Sequence, residues 1–353
     1  MKNNRVLLGM SGGVDSSVAA VLLKKQGYDV IGVTMKLLDD EVEGVCCNLA
    51  STCDAKRVCD FLGIPHYTLN FKEEFKTHVI DDFINSYKNC RTPNPCIECN
   101  KYLKFGAMYK KALELDCEYI ATVHYAKVAY SEKYNSLVLK ESLANNKDQS
   151  YVLYNTPKEL LPHLLFPLAD FKDKEEIRAI AREYNLPVAN KPDSEDICFI
   201  PDGNYARYLE KNSDIKPKQG NIIDKSKTVL GKHTGLYKYT IGQRRGLKVS
   251  YKKPLYVIGF NSKKNEVIVG DEQDLYTKEF MVQDVNFLVW NKLESPLSVS
   301  VKIRYSTKSN AAVIYPIGDE VKVIFDTPQC AITPGQSAVF YDGDIVLGGG
   351  KIK

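Results

Sequence analysis

The sequence has no run approaching the ~18 consecutive apolar residues that a membrane span requires, so no membrane partner is expected. Its first residues, MKNNRVLLGMSGG, hold an apolar stretch too short for a signal-peptide core and pass straight into a glycine motif. A cytoplasmic location is therefore expected. Internal repeats and low-complexity tracts are also lacking. With 44% apolar and 26% charged residues, the 353-residue chain has the balance of two or three ordinary globular domains. Charge of one sign is scarce too: a net +4 neither demands nor excludes a nucleic-acid partner, so the distribution of the charge matters more. Ten cysteines are present, but no complete zinc set. Near Cys46, Cys47 and Cys53 no histidine or second C-x-x-C supplies the four ligands a structural site wants. A reducing cytosol argues against a disulfide framework. Cys59, Cys117 and Cys330 read as small core residues beside apolar runs.

What is present divides the chain in two. Through about residue 190, strand-like and helix-like segments alternate. RVLLGM precedes a helix from Asp15 to Gln26 that stops at Gly27. DVIGVTMKL, IPHYTLNF and EYIATVHY read as further strands, and CDAKRVCDFL as a helix ended by Gly63. FKTHVIDDFINSYK sets Phe75, Val79, Ile80, Phe83, Ile84 and Tyr87 on one helical face, and another helix is expected from about Lys101 to Leu115. Such alternation predicts βαβ units and a doubly wound parallel sheet. From Gly220 onward short β-branched runs and turn signals replace helical periodicity, which predicts two small mainly-β units with a break near Lys278 to Asp284. The domains read as 1–205, 206–278 and 279–353, the last a β-barrel.

GMSGGVDSS, Gly9 to Ser17, follows the first strand and opens the first helix. Small residues there let backbone N–H groups approach phosphate oxygens, and the helix N-terminus favours an anion. The loop has no lysine, so it is not a Walker A motif. It resembles the pyrophosphate loop of the ATP pyrophosphatase (PP-loop) superfamily, an adenine-nucleotide alpha-hydrolase-like fold whose enzymes adenylate a substrate. The resemblance implies ATP and Mg2+ as cofactors, with Asp15 helping to hold the metal. Guanylate, NAD and argininosuccinate synthetases would carry the same loop.

The cysteines discriminate. TPNPCIECN contains Cys96 and Cys99 in C-x-x-C spacing, which fits half a zinc site, a redox pair, part of an iron–sulfur ligand set, or a nucleophile with an incidental neighbour. Cys99 is expected at a helix N-terminus, where the dipole lowers a thiol pKa. Cys198 follows about a hundred residues later in KPDSEDICFIPDGNY. A cysteine on each side of an adenylating site suggests sulfur chemistry.

TPNPCIECNKYLKF, DSEDICFIPDGNY, HTGLYKYTIGQRRGLKV and TPGQSAVFYDGDIVLGGG all resemble the bacterial tRNA-specific 2-thiouridylases, from the phosphate loop to the last glycines. That family implies ATP-dependent replacement of the 2-oxygen of the wobble uridine by sulfur in tRNAs for lysine, glutamate and glutamine. By motif, Cys99 matches the nucleophile and Cys198 the persulfide carrier. Gly9, Met10, Ser11, Gly12, Gly13, Val14, Asp15 and Ser16, with Met35 and Val123, match the ATP contacts. Asn94, Pro95 and Cys96 match the segment touching the target base. Lys147, Asp148 and Gln149, with Arg304 and Tyr305, match tRNA contacts. The implied partners are the tRNA anticodon stem-loop and a persulfide donor, either a cysteine desulfurase or a sulfur-relay protein.

Two departures stand out. Many relatives carry aspartate at the position of Cys96, and Val123-His124-Tyr125 replaces the usual Gly-His-Tyr, so extra methyls tighten the nucleotide site. The cysteine at 96 opens an alternative in which Cys96, Cys99 and Cys198 ligate a 4Fe–4S cluster. Lys238 to Lys253 carries six Lys/Arg and no acid, interleaved with aromatics, as phosphate contacts and base stacking require. A flipped uridine near Cys99 is expected. His124 reads equally as a substrate contact or a satisfied core histidine. Two other function classes fit less well. Small-molecule adenylation leaves the cysteines unexplained, and a non-catalytic tRNA-binding protein leaves the phosphate loop unexplained.

Overall fold

The computed structural model describes residues 3–39, 49–144, 147–191 and 197–353. Val6, Leu7 and Leu8 have no solvent exposure, as a strand covered on both faces must. They form β1 (Arg5–Gly9), which is followed by α1 (Val14–Lys25), β2 (Asp29–Lys36), α2 (Leu49–Leu62) and β3 (His66–Asn70). A helical stretch comes next: α3 (Lys72–Phe75), a π-helical turn Lys76–Ile80, and α4 (Asp81–Lys88). A second one, α5 (Pro95–Glu98), π-helical Cys99–Ala107 and α6 (Met108–Glu114), leads into β4 (Tyr119–Ala121). The expected apolar face of the first stretch is inward, with Phe75, Val79, Phe83, Ile84 and Tyr87 all buried.

The hairpin β5 (Ala126–Ser131) and β6 (Ser136–Glu141) then interrupts the alternation before β7 (Leu164–Leu165) and α7 (Lys174–Glu183). The parallel sheet has the order β3-β2-β1-β4-β7. Connections leave β1 and β4 toward opposite sides, and this switch point opens a crevice at their C-terminal ends.

After α8 (Tyr205–Asn212), four strands pair in the order β10-β11-β8-β9: β8 (Gly220–Ile223), β9 (Val229–His233), β10 (Tyr256–Asn261) and β11 (Glu266–Gly270). Most of the basic segment 238–253 is an irregular loop between β9 and β10. The remaining strands are β12 (Tyr276–Phe287), β13 (Leu297–Lys302), β14 (Asn310–Ile317), β15 (Glu320–Cys330), β16 (Ser337–Asp342) and β17 (Ile345–Ile352). β12 runs through the expected break at Lys278 to Asp284, with a register shift between Thr277 and Glu279. Pairing of β12 with both β15 and β17 closes these six strands into an antiparallel barrel.

The hairpin of the α/β half joins this barrel. Leu139 and Lys140 of β6 pair with Val346 and Ile345 of β17. Tyr151 and Tyr154 carry the same junction inward, and the Tyr151 hydroxyl donates to the Ser337 carbonyl at 2.8 Å. One apolar core therefore runs from Leu7 through these tyrosines to Val339 and Val346. Cys59 and Cys117 are buried as expected, whereas Cys330 ends β15 in solvent. Among the described residues no helix is long and apolar enough to cross a membrane.

Candidate nucleotide and sulfur-transfer site

A cavity of about 250 Å³ opens at the switch point. Gly9, Met10, Ser11 and Asp15 follow β1, Met35 ends β2, and Thr122, Val123, His124 and Tyr125 follow β4. Six of the expected ATP positions thus line one cavity: Gly9, Met10, Ser11, Asp15, Met35 and Val123. Gly12, Gly13, Val14 and Ser16 frame it instead. Ser16 and Ser17 hydroxyls donate to the Gly13 carbonyl at 3.2 and 2.8 Å, fixing the first turn of α1. Gly12 has φ +69°, and a Cβ there would lie 2.2 Å from the Ser51 carbonyl oxygen, so only glycine fits. Thr34 braces the loop from below by donating to the Met10 carbonyl at 2.8 Å.

Three lysines that the sequence reading did not single out complete the site. Lys174 pairs with Asp15 at 2.5 Å, and Lys191 reaches both the Gly12 carbonyl at 3.0 Å and Asp54 at 2.8 Å. Lys104, on the helix that carries Cys99, lines the cavity. Its ammonium lies 3.3 Å from His124 Nε2, and His124 Nδ1 lies 2.8 Å from Thr122 Oγ1. An ammonium only donates, so Nε2 accepts and the ring proton sits on Nδ1. Burial, with Lys104 adding to it, holds the His124 pKa well below its usual value. His124 is a satisfied neutral histidine on the cavity wall. Lysines scatter through any sequence, and only the fold shows which of them converge.

Asp15 is a single carboxylate on the wall of this cavity, which suits magnesium held by one or two carboxylates plus substrate phosphates. The cluster alternative fares differently. Cys96, Cys99 and Cys198 are all described, yet no three His, Cys, Asp or Glu side chains among the described residues group as metal ligands would. As placed, they do not fit a cluster. Cys46 and Cys47 lie outside the described residues, as does the acidic run before Cys198.

The cysteine-bearing helix begins earlier than the periodicity implied. Asn94 is its N-cap and Pro95 its first residue, so Cys99 stands one turn inside rather than at the N-terminus. Cys99 is half-buried against the main core, and burial pushes its thiol up to about 11. Lys104 pulls the other way and Cys96 adds to the rise. Burial outweighs the helix end here. Cys198 packs against the same core, and its neighbour Phe199 stacks edge-on against Phe75 and Phe83. None of these cysteines forms a disulfide among the described residues.

Among the residues matched to tRNA contacts, the structure brings Tyr305 near Asp148 and Cys96. Tyr305 is exposed, its ring centroid is 6.2 Å from that of Tyr151, and its phenol pKa is raised by burial, then by Asp148 and Cys96. Asp148, however, is buried and accepts from the Ser142 and Ser150 backbone at 3.0 and 3.3 Å. Its carboxylate orders a turn. The Gln149 side chain accepts from Tyr125 N at 3.1 Å and lines the nucleotide cavity, while Lys147 is half-exposed beside it. Arg304 is half-buried and donates to Ile241 O, Ala331 O and Thr333 Oγ1 at 3.2, 3.0 and 2.6 Å, tying the basic loop to the barrel. Arg244 and Arg245 remain exposed on that loop.

The TPGQ turn of the barrel grips the cysteine loop. Thr92 N donates to Pro334 O at 2.9 Å, and Gln336 Nε2 donates to Thr92 O at 2.8 Å and Pro93 O at 3.2 Å. Lys351 of β17 pairs with the buried Glu98 at 2.9 Å and with Asp82 at 3.6 Å.

Family models match nearly the whole chain in three pieces. They are a tRNA methyl transferase HUP domain over residues 4–202, a tRNA methyl transferase PRC-barrel domain over 208–271 and an aminomethyltransferase β-barrel domain over 277–352. The tRNA-specific 2-thiouridylase MnmA of Clostridioides difficile (strain 630) is 51% identical over 356 residues, 99% of this chain and 98% of that protein. The protein of the same name from Acetivibrio thermocellus is 50% identical over 360 residues, covering all of both chains. Among solved structures, a U34-tRNA thiolase, NcsA, from Methanococcus maripaludis with its [4Fe-4S] cluster overlaps 61% of this chain and 69% of its own, with 21% identity and a TM-score of 0.37. So loose an overlap carries no argument about the site.

Proposed function

The chain belongs to the tRNA-specific 2-thiouridylase family of ATP-utilising tRNA sulfurtransferases, and we propose that it thiolates C2 of the wobble uridine by adenylation followed by persulfide transfer. The observation that carries this reading is the cavity at the β1/β4 switch point. Its wall is shared between the phosphate loop and the helix of Cys99.

The uridine 2-oxygen attacks the α-phosphorus of ATP, pyrophosphate leaves, and N3 releases its proton. Asp15 would hold magnesium, which neutralises pyrophosphate charge when bound. A donor loads Cys198 as a persulfide. Its terminal sulfur adds to C2, the C2–O bond breaks and AMP departs. The Cys99 thiolate then attacks Sγ of Cys198, leaving the outer sulfur on uridine and forming a Cys99–Cys198 disulfide, which a dithiol reductant must reopen. Asn94, Pro95 and Cys96 lie beside the flipped base. Lys147, Gln149, Tyr305 and the basic loop face the anticodon stem-loop, while Asp148 and Arg304 shape that surface from within. The substrates on this reading are tRNAs for lysine, glutamate and glutamine.

Purified protein given unmodified tRNA, ATP, Mg2+ and a persulfide should release AMP and yield 2-thiouridine in nucleoside digests. AMP release that does not depend on tRNA, or tRNA without 2-thiouridine, would overturn the reading.

A further inference from the structure

We infer that Lys104 is shared by both halves of the reaction: its ammonium faces the ATP phosphates in the cavity and is also the counter-charge that lets Cys99 ionise. The inference rests on the ATP-dependent reading above and adds a residue and an order of events to it.

The charge balance of the cavity comes first. Among the described residues Asp15 is the only acid on its wall, and Lys174 already pairs with it. Lys191 is committed to Asp54 and to the Gly12 carbonyl. Among the described residues Lys104 has a single hydrogen-bond partner, the neutral His124 ring, and no carboxylate. A half-buried ammonium held by a neutral acceptor keeps its full charge and calls for an anion. His124 fixes where the charge stands without cancelling it.

The path of the helix comes second. On an α-helix, residues five apart point in different directions. Cys99–Ala107 is instead π-helical, with i→i+5 hydrogen bonding, and this wider winding turns residue 104 back toward the face of residue 99. The irregular winding thus brings Lys104 onto the Cys99 face while its tip reaches the phosphate cavity. The pull of Lys104 on the Cys99 thiol agrees with this placement. Other groups face the pair less directly. Cys96 shares the helix, His78 of the opposing π-turn stacks on Tyr102 at 4.2 Å, and Asp15 with Lys174 lies across the cavity.

One cation serving two anions imposes an order. While triphosphate occupies Lys104, Cys99 stays a thiol. Once pyrophosphate has left, the charge is released to the cysteine and the thiolate forms when the adenylate is ready. A standing thiolate would otherwise be open to oxidation before its turn.

The test is the alkylation rate of Cys99 by iodoacetamide at pH 9, read by mass spectrometry of its peptide, in the nucleotide-free protein and with ATP saturating each variant. Below its pKa the rate follows the thiolate fraction, so losing one nearby cation should slow it about tenfold or more. ATP should slow alkylation of the parent, and AMP should not. Lys104→Met without nucleotide should match the ATP-bound parent, show no further response to ATP, and bind ATP about tenfold more weakly. Lys104→Arg should restore both behaviours. Equal alkylation rates in Lys104→Met and parent, or an ATP effect that persists in Lys104→Met, would overturn the inference. If Lys104→Met does not fold, the parent decides alone, since an unchanged rate with ATP is equally fatal. A parent that binds no ATP would overturn the function above, whereas the nucleotide-free comparison of variant and parent tests Lys104 independently.

Discussion

Between Gly9 and Ser17 the phosphate loop is braced by its own neighbours, where Ser16 and Ser17 bond back to Gly13, and by residues of the same α/β half, Thr34 on Met10, Lys191 on Gly12 and Lys174 on Asp15. Between Arg91 and Cys99 the cysteine loop is braced from the far end of the chain. Gln336 reaches Thr92 and Pro93 from more than 240 positions on, Lys351 holds Glu98, and Gly335 packs so closely that a Cβ would lie 2.8 Å from that of Arg91. The difference teaches that nucleotide binding is held within the α/β half, whereas the sulfur step depends on the barrel being docked. The barrel is therefore part of the sulfur site as well as a second fold beside it.

The sharpest break in this comparison comes from removing each half alone. Cys99→Ser should bring 2-thiouridine to background while ATP binding is kept. Asp15→Ala should lower thiolation about 10²–10³-fold with little loss of tRNA binding. Nucleoside analysis, equilibrium dialysis and a tRNA binding titration check all three quantities. Unchanged product from Asp15→Ala would remove the nucleotide half of the contrast.

Loosening the barrel's hold should be milder. Lys351→Met leaves the buried Glu98 without its cation and should destabilise by about 2–3 kcal/mol, short of a fully buried pair because Lys351 is partly exposed. The loss should fall on thiolation and spare ATP affinity. Adding Glu98→Gln should recover part of the stability, measured in a urea double-mutant cycle. Additive losses would mean that the pair does not tether the loop.

On the tRNA side, Arg244→Ala with Arg245→Ala should weaken binding and flatten the slope of log K against log salt by roughly one per lost phosphate contact. Superimposable salt titrations would leave this loop a plain solvated surface. The smallest effect is expected from Cys96→Ser. The side chain is exposed and no metal-ligand group forms around it among the described residues. Single-turnover thiolation with supplied persulfide should stay within a few-fold of the parent. Joint loss of iron and activity would restore the cluster.

Much was legible in the sequence because it is written in contiguous residues. The strand-loop-helix of RVLLGMSGGVDSS predicts its own geometry, and the β-branched runs after Gly220 predict the barrel. Periodicity failed where the helix does not wind with period 3.6. The start at Pro95 displaced Cys99 from the expected helix end, and burial raises its thiol where the helix end was expected to lower it. Only the tertiary structure could choose Lys104, Lys174 and Lys191 among many lysines, turn Asp148 and Arg304 inward, and set the β5–β6 hairpin on the barrel. Each of these depends on partners distant in sequence. Local motifs fix backbone shape through short-range sterics and hydrogen bonds, but burial and charge pairing are properties of the packed whole.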